Sequence, residues 1–264
     1  MNNTFNAKRF GRLLKKTLLE RPAQLLGFTG LILVLVLIAY AITKTLVWYN
    51  AAQNLCFIWG LSVGGAFMAS FVFAYFSSNA SGSSYLTLPA SNFEKWLCGV
   101  LIAGILYPII FLVFFRAIDT MFVTLYHNSL DPNNPHYKNA YEAVYVFPFN
   151  GIIAWKVYPM FFFLGGAMLS APLFFNKVGF IKMALVICVL ALGSFGLNWL
   201  MAEAFFGHIT DAFLFNHVSI AVGREEATIQ LPETTGKIFR YSICYVIPLI
   251  LWLLTFIRLR EKEF

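Results

Sequence analysis

The stretch Leu97–Ile118, LCGVLIAGILYPIIFLVFFRAI, decides the fold class of this chain. Arg116, close to its end, is the one charged residue in the run. A helix needs about 20 mainly apolar residues to cross a hydrocarbon layer about 30 Å thick. Because the apolar character is continuous and does not alternate, the run predicts a membrane-spanning helix and excludes a strand of a β-barrel.

Five further apolar runs flank this one. The six predicted spans lie at about 24–43, 55–76, 97–118, 151–175, 179–201 and 241–257. The last is the shortest, so we expect it to extend by a turn into the interface. The sequence therefore predicts a single domain over 1–264, an all-α integral membrane protein with six transmembrane helices.

The composition agrees with a membrane protein. Hydrophobic residues make up 59% of the chain and charged residues 12%, whereas a soluble domain carries about 25% charged residues. The net charge of +7 invites a nucleic-acid partner, but the positive residues cluster at the ends of the apolar runs. We therefore expect membrane lipids, and not nucleic acid, among the partners.

The basic residues also predict the orientation. Of the 19 Lys and Arg residues, 12 lie before the first run, in the loops after the second and fourth runs, or after the sixth. The other 7 are spread over longer loops. Since Lys and Arg in short loops favour the cytoplasmic side, both termini are predicted to be cytoplasmic.

An amphipathic helix is predicted at about 4–21, before the first span. Its apolar residues Phe10, Leu13, Leu14 and Leu18 share one helical stripe, with basic residues largely opposite. Such a helix rests in the membrane interface through apolar burial and attraction to anionic lipids. The alternative is a disordered basic tail.

Two stretches, 119–150 and 202–240, are predicted on the opposite side of the membrane. The second begins with the semi-apolar segment 203–222, for which we expect interfacial or re-entrant helices packed against the bundle. At the start of the first, Asp119 is spaced to neutralise Arg116 one helical turn away.

The second run contains a motif with two interpretations. Gly60-Leu61-Ser62-Val63-Gly64 matches the G-x-S-x-G form of a hydrolase nucleophile elbow. No strand precedes it and no base lies at comparable depth, so an intramembrane hydrolase using Ser62 is strongly disfavoured. The small residues predict close helix packing instead. Those assigned to helix packing are Gly60, Gly64, Gly65 and Ala69.

No catalytic, cofactor-binding or metal-binding residue is predicted. The cysteines lie in apolar runs without a CxxC partner and are interpreted as buried apolar groups; they are Cys56, Cys98, Cys188 and Cys244. His208, Asp211 and Glu203 could form only a weak metal site, and interfacial polar residues are the favoured interpretation. The string 235–237 lacks the rest of a P-loop, so any ATP hydrolysis must come from another chain.

The predicted cytoplasmic loop at 78–95 is the most informative segment. Ser91 and Glu94 form an S-x-x-E capping box that opens a helix into the third span. Tyr85, Leu86 and Leu88 are apolar residues in a short loop, which suggests a docking surface. A capped turn lying on the membrane is the alternative, and the residues alone do not decide between the two.

The string Tyr85-Leu-Thr-Leu-Pro-Ala-Ser-Asn-Phe-Glu-Lys-Trp96 resembles the loop of type-2 ABC exporter permeases, especially those of Bacteroidetes-type bacteria. The resemblance implies a coupling loop that docks into a separate ABC ATPase subunit, a second permease copy or homologue, and a bacterial inner membrane. It also implies the re-entrant helices expected at 203–222. The candidate ATPase contacts it gives are Leu86, Leu88, Pro89, Ser91, Phe93, Glu94 and Lys95.

The leading hypothesis is thus a permease that exports a lipid, peptide or drug-like substrate with ATP hydrolysed by its partner. The alternative is a non-transporting scaffold or anchoring subunit of an envelope complex. That alternative places the partner contacts on 119–150 and 202–240 instead of on the loop at 78–95.

Overall fold

A computed structural model describes residues 5–20, 22–77, 79–175, 177–207, 209–213, 217–222, 225–230 and 232–262. Six of its helices are long and apolar enough to cross a membrane, which confirms the predicted all-α membrane fold. They are α2 (Leu25–Leu46), α3 (Tyr49–Val72), α5 (Asn92–Asn128), α7 (Ile152–Phe174), α8 (Gly179–Phe206) and α9 (Thr234–Glu261).

The remaining helices are short and lie between or before the spans. They are α1 (Ala7–Glu20), α4 (Asn79–Leu86) and α6 (Tyr137–Ala143). Six spans alternate in direction, so α1 and the end of α9 lie on one side of the membrane. We call it the terminal side, and it also holds residues 77, 79–91, 175 and 177–178. The far side holds residues 47–48, 129–151, 207, 209–213, 217–222 and 225–230.

Span lengths differ most from the sequence prediction in α5, which has 37 residues instead of the 22 expected. The helix starts at the capping box on the terminal side and continues to Asn128 on the far side. The last span, α9, has 28 residues and begins about two turns before the predicted start. Apolar content marks only the part of a helix inside the hydrocarbon. The capping box predicted the start of α5, and one extra turn was expected at the last span, but the extension of α5 to Asn128 and the second extra turn of α9 were not predicted.

The N-terminal amphipathic helix is present as α1, within the predicted 4–21; Thr4 and Arg21 lie outside the described residues. Leu13 and Thr17 are buried against the start of α5. The Cys98 thiol donates to the Thr17 hydroxyl at 3.8 Å. The helix therefore packs on the bundle and is not a free tail.

The expectation of re-entrant or interfacial helices at 203–222 was wrong. Helix α8 continues to Phe206, and an antiparallel sheet follows, with strands β1 (Ile209–Phe213), β2 (His217–Val222) and β3 (Glu225–Gln230) in that order. Alternating β-branched and polar residues pair there, as in Val218 opposite Ile229 and Ser219 opposite Thr228. The helical segment that does precede the last crossing is Glu233–Tyr241, and it is continuous with α9.

The core is centred on α3, where 67% of the residues in the most apolar stretch are buried. Aromatic rings fill the space between α3, α5 and the far-side residues 147–149. The ring of Phe57 lies 4.5 Å from Phe147 and 5.3 Å from Phe115, centroid to centroid. By contrast, no residue in the most apolar stretch of α8 is buried, so α8 packs at the periphery.

Small residues set the close approach of α3 to its neighbours. A Cβ added at Gly60 would overlap the ring of Phe111, and one at Gly64 would overlap the phenol oxygen of Tyr107. At Gly65 an added Cβ would lie 2.5 Å from the ring of Phe161 in α7. Ala69, one turn further along, is fully buried. A larger side chain at these glycines would force α3 away from α5 and α7.

A buried carboxylate joins the far-side ends of the first three spans. Asp119 accepts hydrogen bonds from the Tyr40 hydroxyl (2.6 Å), the Gln53 amide (2.8 Å) and the Phe147 backbone N–H (2.7 Å). The predicted neutralisation of Asp119 by Arg116 was wrong. The Arg116 guanidinium instead lies 4.1 Å from the ring centroid of Phe149, and three neutral donors satisfy the carboxylate.

Candidate docking site on the terminal side

The candidate docking site is the helical hairpin that joins α3 to α5. Helix α4 ends at Leu86, residues 87–91 form a turn, and Ser91 caps α5. The Glu94 N–H donates to the Ser91 hydroxyl at 3.3 Å, and the Ser91 N–H donates to the Glu94 carboxylate at 3.0 Å. The predicted capping box is confirmed, and it fixes the direction in which the turn enters the span.

Glu94 does more than close the capping box. Its carboxylate oxygens also accept from Arg9 Nε and Nη2, both at 2.7 Å, and from the Asn6 backbone N–H at 2.8 Å. The Glu94 side chain is fully buried, and this bidentate contact raises the pKa of the Arg9 guanidinium. One carboxylate thus fastens α1, the turn and α5 together.

Lys95 fixes the other half of the hairpin. Its Nζ donates to the Leu86 carbonyl at 2.8 Å, at the C-terminal end of α4, and the side chain is fully buried. A cation at a helix C-terminus satisfies carbonyls that lack intrahelical partners. Lys95 therefore holds the end of α4 against the start of α5.

Tyr85 anchors α4 on the bundle. Its ring stacks on Tyr75 with centroids 4.7 Å apart and contacts the edges of Phe73 and Phe76. Burial raises the pKa of the Tyr85 phenol, which keeps it neutral at physiological pH. The Tyr75 hydroxyl donates to Glu20 at 3.2 Å, which adds a further link to α1.

The structure divides the seven candidate contacts into two groups. Ser91, Glu94 and Lys95 are buried, and their side chains bind within the chain, so in this arrangement they shape the hairpin. The other group reaches the surface: Pro89 and Phe93 are exposed, while Leu86 and Leu88 are half-buried. Contact with an ATPase stays a prediction, and only this second group has side-chain surface to make it.

Phe93 lies where three elements meet on the terminal side. Its ring is 43% exposed and lies 6.3 Å from Phe5, 5.7 Å from Trp96 and 6.4 Å from Phe256 in α9. The Trp96 indole in turn donates to the Trp252 carbonyl at 2.9 Å. Phe93 therefore lies between the residues just before α1, the start of α5 and α9.

The residues at and before the start of α1 that hold the hairpin were not predicted from the sequence. Arg9 and Asn6 lie 85 and 88 positions from Glu94, and no local pattern joins them. One feature of the sequence could have indicated the contact: Glu94 is the single acidic residue between positions 21 and 118. A carboxylate that becomes buried needs hydrogen-bond donors, and the basic N-terminal helix offers them.

The other candidate sites give little support for catalysis. The Ser62 hydroxyl is fully buried in a π-helical segment, Trp59–Val63, and no hydrogen-bond partner lies near it in the described chain. His208 lies outside the described residues. Asp211 faces His217 across β1 and β2 at 3.6 Å, and the described residues hold no cluster of three metal-ligating side chains.

No family model, no curated protein and no solved structure matches this chain. The function is therefore inferred from the geometry of the hairpin and of the spans behind it.

Proposed function

We propose that this chain is the membrane-spanning permease subunit of an ATP-driven ABC exporter, with ATP hydrolysed by a separate subunit. The observation that carries the proposal is the hairpin formed by α4, the turn and the capped start of α5. Its buried residues fix its shape, and its surface residues are the apolar side chains expected of a docking surface.

The hairpin is suited to pass movement to the spans. It continues without a break into α5, and its buried Glu94 binds α1 through Arg9. A partner that displaced the turn would therefore move α1 and α5 together. The terminal side is then the cytoplasm, and the membrane is the bacterial inner membrane.

The exposed face of α8 supports the second half of the proposal. The most apolar stretch of α8 is not buried in the single chain. A second permease copy or a homologue therefore has a helix surface on which to pack. The substrate would be a lipid, peptide or drug-like molecule, moved by alternating rearrangement of two such bundles.

A test of the proposal is whether the full chain, purified from its native membranes, carries an ABC ATPase subunit with it. Leu88→Glu, which places a charge on the proposed contact surface, is expected to abolish the association. Leu130→Glu is the matched control, because Leu130 is a half-buried leucine in a far-side loop. Wild-type protein that never associates with the ATPase, or association that survives Leu88→Glu, would overturn the proposal.

A non-transporting scaffold is the second candidate, favoured by the folded far-side elements α6 and β1–β3. It requires a partner on the far side. Crosslinking from each side of the membrane separates the two candidates: a far-side partner with an unoccupied hairpin supports the scaffold.

A further inference from the structure

A cationic groove lies between α1 and the turn, on the terminal side. It encloses about 520 Å³ between the basic residues Lys8, Arg9, Arg12 and Lys16 of α1 and residues 88–90 of the turn. None of the described residues that line it is acidic. Its walls therefore combine several positive charges with the apolar surface of Leu88 and Pro89.

The spacing of the cations places them on one face of α1. Lys8, Arg12 and Lys16 follow each other at intervals of four residues, so they lie in a row along the helix. Phe10, Leu14 and Leu18 form a second row, about half a turn away from the first. The cationic row thus faces the groove and the turn, while the second row supplies the apolar face of the helix.

The charges in the groove are largely uncompensated. Arg9 is paired with Glu94, but Lys16 approaches Glu20 only to 4.0 Å, with both side chains nearly half exposed. Within the described chain, Lys8 and Arg12 form no ion pair. Like charges four residues apart destabilise a helix, and a bound anion would offset that cost.

We propose that this groove binds a phosphate-bearing anion. The row of Lys8, Arg12 and Lys16 supplies ammonium and guanidinium donors, which suit the several acceptor oxygens of a phosphate. Such a phosphate is carried either by the headgroup of an anionic phospholipid or by a soluble molecule. The apolar wall at Leu88 and Pro89 accommodates the uncharged part of either one.

A ligand in this groove touches both α1 and the turn, and so ties together the two segments that Glu94 already joins. Occupancy would therefore strengthen the attachment of the hairpin to the bundle. This inference does not depend on the proposed transport function, because it concerns only the cations of α1 and the residues beside them.

The test measures the thermal unfolding midpoint of the full chain in neutral detergent at constant ionic strength. Three probes are titrated in parallel: dihexanoyl phosphatidylglycerol, dihexanoyl phosphatidylcholine and sodium pyrophosphate. We expect saturable stabilisation by phosphatidylglycerol, by pyrophosphate or by both, and none by phosphatidylcholine. Stabilisation by phosphatidylglycerol alone identifies a lipid headgroup, and equal stabilisation by pyrophosphate identifies a soluble phosphate.

A matched pair of variants distinguishes binding in the groove from non-specific attraction of anions to the basic helix α1. Arg12→Gln removes a charge that lines the groove, and Lys15→Gln removes one from α1 that does not. We expect Arg12→Gln to weaken binding about fivefold and Lys15→Gln to leave it unchanged. Equal weakening by both variants, or no saturable response to either anion, would overturn the proposal.

Discussion

At the scale of single residues, Glu94 is the side chain on which most of the terminal-side structure depends. It closes the capping box, receives two hydrogen bonds from Arg9 and a third from the backbone of Asn6. Its surroundings contain only donors, so a carboxylate satisfies them and a carboxamide does not.

The first prediction is that Glu94→Gln loosens α1. One end of the glutamine side chain would turn an N–H₂ group toward donors, and Arg9 would lose its ion pair. Hydrogen bonds to a charged group contribute about 2 kcal/mol, so we expect a comparable loss in the free energy of unfolding measured by SDS titration. Limited proteolysis should cut near α1 in the variant and spare the wild type.

The control for this variant is Glu142→Gln, because Glu142 is exposed on the far side. It makes the same chemical change away from any buried network. If both variants unfold at the same SDS concentration as the wild type, Glu94 does not hold α1 in place.

Two residue-level features show what sequence could and could not predict. The capping box of Ser91 and Glu94 was predictable because its partners are three positions apart. The same spacing gave a wrong prediction for Arg116 and Asp119, which do not neutralise each other. Asp119 finds donors on α2, α3 and residue 147 instead, and only the tertiary fold brings these near.

At the scale of the helices, the glycines of α3 lie where aromatic side chains of α5 and α7 approach most closely. Gly60 faces the ring of Phe111, and the Tyr107 hydroxyl donates to the Gly60 carbonyl at 2.5 Å. By contrast, Gly193 in α8 has no neighbouring atom within 4 Å of an added Cβ. Glycine is therefore required for close helix packing at Gly60, whereas Gly193 has no such role.

The second prediction compares Gly60→Ala with Gly193→Ala. At Gly60 the added methyl overlaps an aromatic ring, and overpacking of this kind costs about 1–3 kcal/mol. At Gly193 the added methyl meets no atom, and alanine favours the helix by up to about 1 kcal/mol. We expect a lower thermal midpoint for the first variant and an unchanged or higher one for the second. A reversed order would contradict the packing of α3 described above.

Element boundaries could be predicted where hydrophobicity or a local capping motif marks them. The apolar part of each span was predictable because lipid exposure demands continuous apolar residues. The sheet at β1–β3 was not, since its strands are short and semi-apolar, and pattern alone does not separate short strands from short helices. The end of α8 at Phe206 leaves the strands outside the span.

At the scale of the whole molecule, α8 has the least buried apolar stretch of the six described spans. The third prediction is that the exposed face of α8 self-associates in membranes. Cys188 lies on it and is exposed. Single cysteines at positions 185, 188, 189 and 192, which share one helical face, should crosslink under mild oxidation when introduced in a Cys188→Ser background where needed. Single cysteines at positions 183 and 187, on the half-buried face that packs on the core, should not.

The matched control for crosslinking is Cys56, which is buried in α3 and should not react. Crosslinking that is uniform around α8, or absent at every position, would show that α8 faces lipid only. In that case a second copy would have to pack elsewhere on the bundle.

The length of α5 gives the molecule a mechanical property. At 1.5 Å of rise per residue, its 37 residues extend about 55 Å, well beyond a hydrocarbon layer of about 30 Å. One end bears the capping box, and Asp119 grips the helix close to the other end. Because Asp119 lies nearer the far-side end of α5, a tilt of the helix by about 5° about the Asp119 network would move the turn sideways by roughly 3–4 Å. A small rotation at the Asp119 network is therefore enlarged into a displacement of several ångströms at the turn.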